Sequence, residues 1–114
     1  MTIVGIGAVS GVSAEEVLAA IDAVLPPGAL DVRLATLDAR AREDGIREAA
    51  ARRGWSLAGH SATLLAAVPV PAPSTVVAGH VGTPSVAEAA ALAGGGTLLV
   101  GKTVHGRVTV AVAT

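Results

Sequence analysis

Cysteine, phenylalanine, tyrosine, asparagine and glutamine are all missing from this 114-residue chain, and Trp55 is its single aromatic residue. Without cysteine there is no disulfide framework, no thiolate nucleophile and no cysteine-bound zinc or iron–sulfur centre. Without aromatics interleaved among basic residues there is no platform for stacking single-stranded nucleic acid. A formal net charge of −1 likewise supplies no attractive field for a phosphate backbone. Long apolar runs are lacking too, because Gly, Pro, Asp or Arg interrupts each well short of the roughly 20 residues of a spanning helix. The first residues carry neither the basic nor the apolar region of a secretory leader. A soluble, cytoplasmic protein without a membrane partner is the expectation.

What remains is rich in small aliphatics, with 52% hydrophobic residues. The core must therefore be built from Val, Leu, Ile and Ala, and the length suits one domain over residues 1–114. Strand and helix signals alternate. Thr2–Ile6 is a short apolar run fit for a strand buried on both faces, and Gly7–Val12 is a glycine-punctuated turn. Ser13-Ala-Glu-Glu16 has the spacing of a capping box, opening a helix whose Val17, Leu18, Ile21, Val24 and Leu25 share a stripe until Pro26-Pro27-Gly28 stops it.

Val32–Leu37 reads as a second strand. A helix over about Glu43–Arg53 follows, with Ile46, Ala49 and Ala50 inward and Gly54 as its stop. Trp55–Ala58 reads as a third strand, and Ser61 is placed to cap a short helix through Ala67. Val68-Pro-Val-Pro-Ala-Pro73 is too proline-rich for regular structure. Ser74 is placed to cap another short helix through about His80. Ser85-Val-Ala-Glu88 repeats the capping-box spacing, and two strands close the chain as a hairpin. The order predicts a three-layer α/β/α sandwich with a mixed, mainly parallel sheet and a C-terminal antiparallel hairpin. Ligands of such sheets bind beyond the carboxyl ends of the strands, which singles out Gly5–Ser13, Thr36–Arg42 and the loop leading into Ser85.

Gly96–Thr103 formally matches the phosphate-loop pattern G-x-x-x-x-G-K-[ST], but its inner residues Thr-Leu-Leu-Val are strand material. A second strand, not a helix, follows Lys102-Thr103, so no helix end is available to meet a phosphate. Gly5-Ile-Gly7-Ala-Val-Ser-Gly11 lies between strand and helix. It fits a tight turn with some ligand contact better than the stricter dinucleotide fingerprint. Asp38, at the end of the second strand, is either a general base or a solvated turn residue paired with Arg40 or Arg42. His60, His80 and His105 are too scattered for metal ligation, and no cofactor motif is present. Lys102, the only lysine, is a point charge suited to a carboxylate or phosphate.

Several segments in order carry a resemblance: Gly5-Ile-Gly7 with Gly11-Val-Ser13; Leu34-Ala-Thr36-Leu-Asp38-Ala-Arg40 with Glu43-Asp-Gly45-Ile46; Val68-Pro-Val-Pro71-Ala-Pro73-Ser74; Val81-Gly-Thr83-Pro-Ser85-Val-Ala-Glu88; and Gly96-Thr-Leu-Leu-Val-Gly-Lys102 with Val108-Thr-Val-Ala111. Together they resemble the cobalamin-biosynthesis family formed by the C-terminal domain of CbiG and the stand-alone CobE. The chain departs from that family at Ala8, Val9 and Ser10, where a Cys or Ser and two basic residues are usual, and at Ala72, where Asn is usual.

The resemblance implies a role in building the corrin ring. The partner would be a tetrapyrrole, a precorrin or corrinoid intermediate, or another cobalamin-biosynthesis enzyme that handles it. On that reading Gly7, Ser10, Ser13, Thr36, Arg40, Ser74, Thr83, Ser85 and Lys102 are the expected substrate contacts, Asp38 is the acid/base candidate, and no metal is held. The family also implies a hydrolase alternative, lactone opening of cobalt-precorrin-5A with release of acetaldehyde. A small nucleotide-binding module is the remaining rival.

Overall fold

The structure, a computed structural model, describes residues 1–70 and 85–114. Its elements in chain order are β1 (Thr2–Ala8), α1 (Ala14–Val24), β2 (Val32–Leu37), α2 (Asp38–Ala41), α3 (Asp44–Arg53), β3 (Ser56–His60), α4 (Ala62–Ala67), α5 (Val86–Leu92), β4 (Leu98–His105) and β5 (Val108–Ala113). The strands form one sheet of order β3-β2-β1-β5-β4. β1 pairs in parallel with β2, and β2 with β3, whereas β5 runs antiparallel to both β1 and β4. All strands but β5 thus point one way, and helices cover both faces, as the alternating pattern predicted. Among the described residues no helix is long and apolar enough to cross a membrane.

The two faces of the sheet differ in side-chain size. Val4, Ile6, Leu34, Val108, Val110 and Val112 point to the α1/α3 side, where they pack with Val12, Val17, Ile21 and Ile46 in the main core. The opposite face carries Gly5, Ala35, Ala111 and Ala113 against the alanines of α5. Large aliphatics make a thick core on one side. On the other, small residues let a helix backbone settle directly on the strands.

The capping box at α1 forms in full. Ser13 Oγ accepts from the Glu16 amide at 3.1 Å, and the Ser13 amide donates to Glu16 Oε2 at 2.8 Å. Arg107, from the β4–β5 turn, also grips this carboxylate, donating from Nε and Nη2 at 2.8 and 2.7 Å. The turn itself is tight: Gly106 has φ of +62° and Arg107 does not, the pattern of a type II′ hairpin, which needs glycine at its first central position. The Arg107 guanidinium, then the Ser13 amide, pull the Glu16 carboxyl down to about 2.

A carboxylate whose folded-state pKa is lowered adds stability above its unfolded value and loses it as pH falls. Here the window runs from about 4.5 down to about 2. Carboxyl-carbon NMR should find Glu16 titrating at the bottom of that window, and Arg107→Ala should move it upward while the Ser13 amide keeps it below an ordinary glutamate. An ordinary glutamate titration in the unaltered protein would refute the pairing.

The second predicted capping box needs correction. Ser85 Oγ does receive the Glu88 amide at 3.5 Å, but the Glu88 carboxylate does not turn back to the Ser85 amide. Glu88 Oε2 instead accepts from the Lys102 amide on β4 at 2.9 Å. The cause is irregularity in β4, whose register against β5 slips between Leu98 and Val100 and again between Val100 and Thr103. At the second slip Gly101 and Lys102 together face Ala111, and the carboxylate of α5 takes up the bulged amide.

Candidate functional site

The carboxyl ends of β1, β2 and β3 lie along one edge of the sheet, at Ala8, Leu37 and His60. The His105–Val108 hairpin joins the same edge, because Val108 pairs with Ala8. Two of the segments singled out by sequence meet there and are tied together. Arg40 Nε donates to the Ala8 carbonyl at 2.8 Å, and Arg40 Nη1 meets Glu43 Oε2 at 2.9 Å. The other oxygen of Glu43 accepts from the Gly11 amide at 2.9 Å. That amide, with the Arg40 charge, holds the Glu43 carboxyl below its ordinary range against the opposing effect of burial. The β1–α1 loop is therefore fixed by a chain of charge-assisted bonds from the far side of the β2–α3 connection.

Between the two segments lies a recess of about 450 Å³, lined by Ser10, Gly11, Val12, Arg42, Glu43, Asp44 and Gly45. Ser10 is exposed at its mouth. Arg42 is exposed beside it and enters no ion pair among the described residues. Arg42 and Glu43 line this recess but are not among the expected contacts: the sequence offers Arg42 only as a partner for Asp38 and Glu43 only within the family-matching segment. A signal for Glu43 exists in hindsight: it occupies the N-cap position of α3 without making a capping bond, which leaves its carboxylate for another partner.

The remaining expected contacts are spread out. Asp38 opens α2 instead of ending β2 and is half-buried over β3, where a β-carbon on Gly59 would come 2.6 Å from Asp38 Oδ1. Its carboxylate has no hydrogen bond among the described residues; Arg40, the expected local partner, is engaged with Ala8 and Glu43. Thr36 is fully buried, and its hydroxyl donates to the Ile6 carbonyl at 2.6 Å, so in this arrangement it joins β1 to β2 and offers nothing to the edge. Ser13 is occupied by its cap and Ser85 by the start of α5. Lys102 sits within β4, exposed, at the bulge. Ser74 and Thr83 lie outside the described residues, as do the proline loop beyond Val70 and the helix expected to end near His80.

Neither glycine pattern serves a phosphate here. Gly96–Thr103 leads into and along β4, and β4 turns directly into β5. Gly5 and Gly7 face α5: a β-carbon on Gly5 would overlap the Ala87 carbonyl oxygen, and one on Gly7 would lie 3.6 Å from the Ala87 amide nitrogen. At Gly5 the side-chain-free position is filled by the helix, so that glycine serves packing, whereas Gly7 has room for a β-carbon at ordinary contact distance.

A family model described as Cobalamin synthesis G C-terminus matches residues 2–113. Solved structures agree with it. The chain is 35% identical to the cobalamin biosynthesis protein chiG from Agrobacterium tumefaciens str. C58, covering 100% of this chain and 98% of that one with a TM-score of 0.72. It is 31% identical to CobE, a protein from the cobalamin (vitamin B12) biosynthetic pathway, covering 99% of this chain and 92% of that one with a TM-score of 0.75. A comparison with curated proteins gives no match. This chain belongs to the cobalamin synthesis G C-terminus family and has its α/β fold.

Proposed function

We propose that this member of the cobalamin-synthesis family binds a precorrin or corrinoid intermediate at the carboxyl edge of its sheet, alone or with the enzyme that processes it. The observation that carries the reading is the recess between the β1–α1 loop and the start of α3, with Arg42 in no ion pair among the described residues, Ser10 beside it and backbone already fixed by Arg40 and Glu43. Corrin precursors bear several carboxylates on flexible arms. The recess can receive one such arm while the ring lies across the edge. A guanidinium receives a carboxylate through paired N–H groups, and prior fixing of the loop lowers the entropy lost on binding.

Titration with a multiply carboxylated tetrapyrrole, read by absorbance or calorimetry, is the test. Saturable binding is expected, and Arg42→Ala should weaken it roughly tenfold, the loss of one charge-assisted contact. No binding at high micromolar concentration would sink the proposal.

One observation favours the hydrolase reading as a second possibility. Asp38 opens α2 just after β2, half-buried, and no hydrogen bond occupies its carboxylate among the described residues, which leaves it open to accept a proton from a bound water. A lactone-opening activity would release acetaldehyde from a cobalt-precorrin-5A-type substrate and disappear in Asp38→Asn. No acetaldehyde from an authentic substrate rejects it and leaves the binding reading intact.

A further inference from the structure

The two edges of the sheet are finished in opposite ways. The β4 edge is interrupted by two register slips, has its bulged amide bound by Glu88 and carries Lys102. Each of these deters another strand from adding. The β3 edge has none of them. Its ladder with β2 runs without a slip from Arg33↔Ser56 to Leu37↔His60. Ser56, Ala58 and Gly59 are exposed, and apart from the ladder to β2 the backbone of Ser56–His60 has no hydrogen-bond partner among the described residues.

Composition sharpens the contrast. From Trp55 to Val70 the sequence contains no Asp, Glu, Lys or Arg, although β3 and the outer surface of α4 are largely exposed, with Leu64 at 45%. Exposed surface is normally where a chain puts its charges; their depletion over a contiguous patch is a mark of the buried centre of an interface. Beside β3, on the α5 side, runs a mainly apolar groove of about 440 Å³ lined by Ile3, Ala35 and Ala58; its one charged side chain is Arg33, which is paired with Asp31.

We propose that β3 is a docking edge for a second copy of this chain, adding antiparallel across a two-fold axis at Ala58 to continue the sheet through both protomers. The strand is self-complementary in that register. Ala58 faces the partner's Ala58, Leu57 faces the partner's Gly59, and Ser56 faces the partner's His60, so no like charges meet. The apolar groove floors become neighbours across the axis. A five-residue strand with the adjoining patch gives an interface at the small end of the specific range, so the dimer is a weak one. This inference is independent of tetrapyrrole binding, whose recess lies between α3 and the β1–α1 loop.

The absence of cysteine makes the test clean. Opposed residues of an antiparallel pair have Cα atoms about 4.5–5.5 Å apart, within disulfide reach. Ala58→Cys should therefore form a disulfide-linked dimer under mild oxidation, whereas Ala23→Cys, exposed on α1, should not. Sedimentation equilibrium of the unaltered chain should give a monomer–dimer equilibrium. Ala58→Lys, which sets two ammonium groups face to face, should raise the dissociation constant at least about tenfold with an unchanged far-UV spectrum. A chain that stays monomeric to millimolar concentration overturns the proposal. So does a dimer whose Ala58→Cys form cross-links no faster than Ala23→Cys, or a β3 edge that accepts only a strand from a different protein.

Discussion

Gly5→Ala is expected to lower the melting temperature by more than about 10 °C, or to prevent folding altogether. Gly5 lies in the middle of β1, paired with Ala35 on one side and Ala111 on the other, under the middle of α5. An added β-carbon would overlap the Ala87 carbonyl oxygen and fall 2.6 Å from the Ala91 amide nitrogen. Those are backbone atoms of consecutive helical turns, so no rotamer change relieves the clash. The helix must lift from the sheet, and lifting it opens the alanine layer of Ala87, Ala91, Ala111 and Ala113. Overpacking a core by one carbon commonly costs about 1–3 kcal/mol where side chains can adjust. Here the neighbours are rigid and the cost belongs at or above the top of that range. Gly94→Ala is the matched control, because nothing lies within 4 Å of its added carbon and its φ is ordinary; a change within about 0.5 kcal/mol is expected. Equal melting temperatures for the two variants would refute the close approach of α5.

What could be read from the sequence is what depends on near neighbours. Val32–Leu37 declares itself as a strand by its residue types, and β2 has those bounds. Ser13 and Glu16 are three residues apart, and both halves of their cap form. Ile46, Ala49 and Ala50 turn inward as their spacing requires. The readings that changed are those in which a distant partner competes. Glu88 has the right spacing to cap its own helix, but a bulge in β4 presents an amide in a better position, and bulges leave no periodic trace. Arg40 stands two residues from Asp38, yet its bonds go to Ala8 and Glu43. The helix α2 is four residues long, too short to show a repeat. The recess itself is built by contacts between residues 32 apart in sequence, Gly11 with Glu43 and Ala8 with Arg40. Glycine patterns suggested where the edge would be functional. They could not tell that Gly5 is spent on the close approach of α5.

Gly45→Ala should strike the recess itself and separate its geometry from its charge. Gly45 is in the first turn of α3, and a β-carbon there would overlap the Val12 carbonyl oxygen and lie 3.0 Å from the Val12 carbonyl carbon. Val12 is buried in the main core and immediately precedes the cap of α1, so the loop has little room to retreat. The start of α3 must move away, and Glu43, two residues earlier, moves with it. The bond from the Gly11 amide is then the first to break, because it is exposed and spans the gap that widens. The expected results are a loss of about 1–3 kcal/mol of stability and faster hydrogen exchange at the Gly11 amide. Tetrapyrrole affinity should fall at least as far as in Arg42→Ala, although no charge has been removed. Arg42→Ala, by contrast, should leave Gly11 exchange unchanged. If Gly45→Ala binds tetrapyrrole normally while Gly11 exchange rises, the recess is not where the ligand enters, and Arg42 is an ordinary surface cation. If exchange does not rise at all, Glu43 is not what holds the loop.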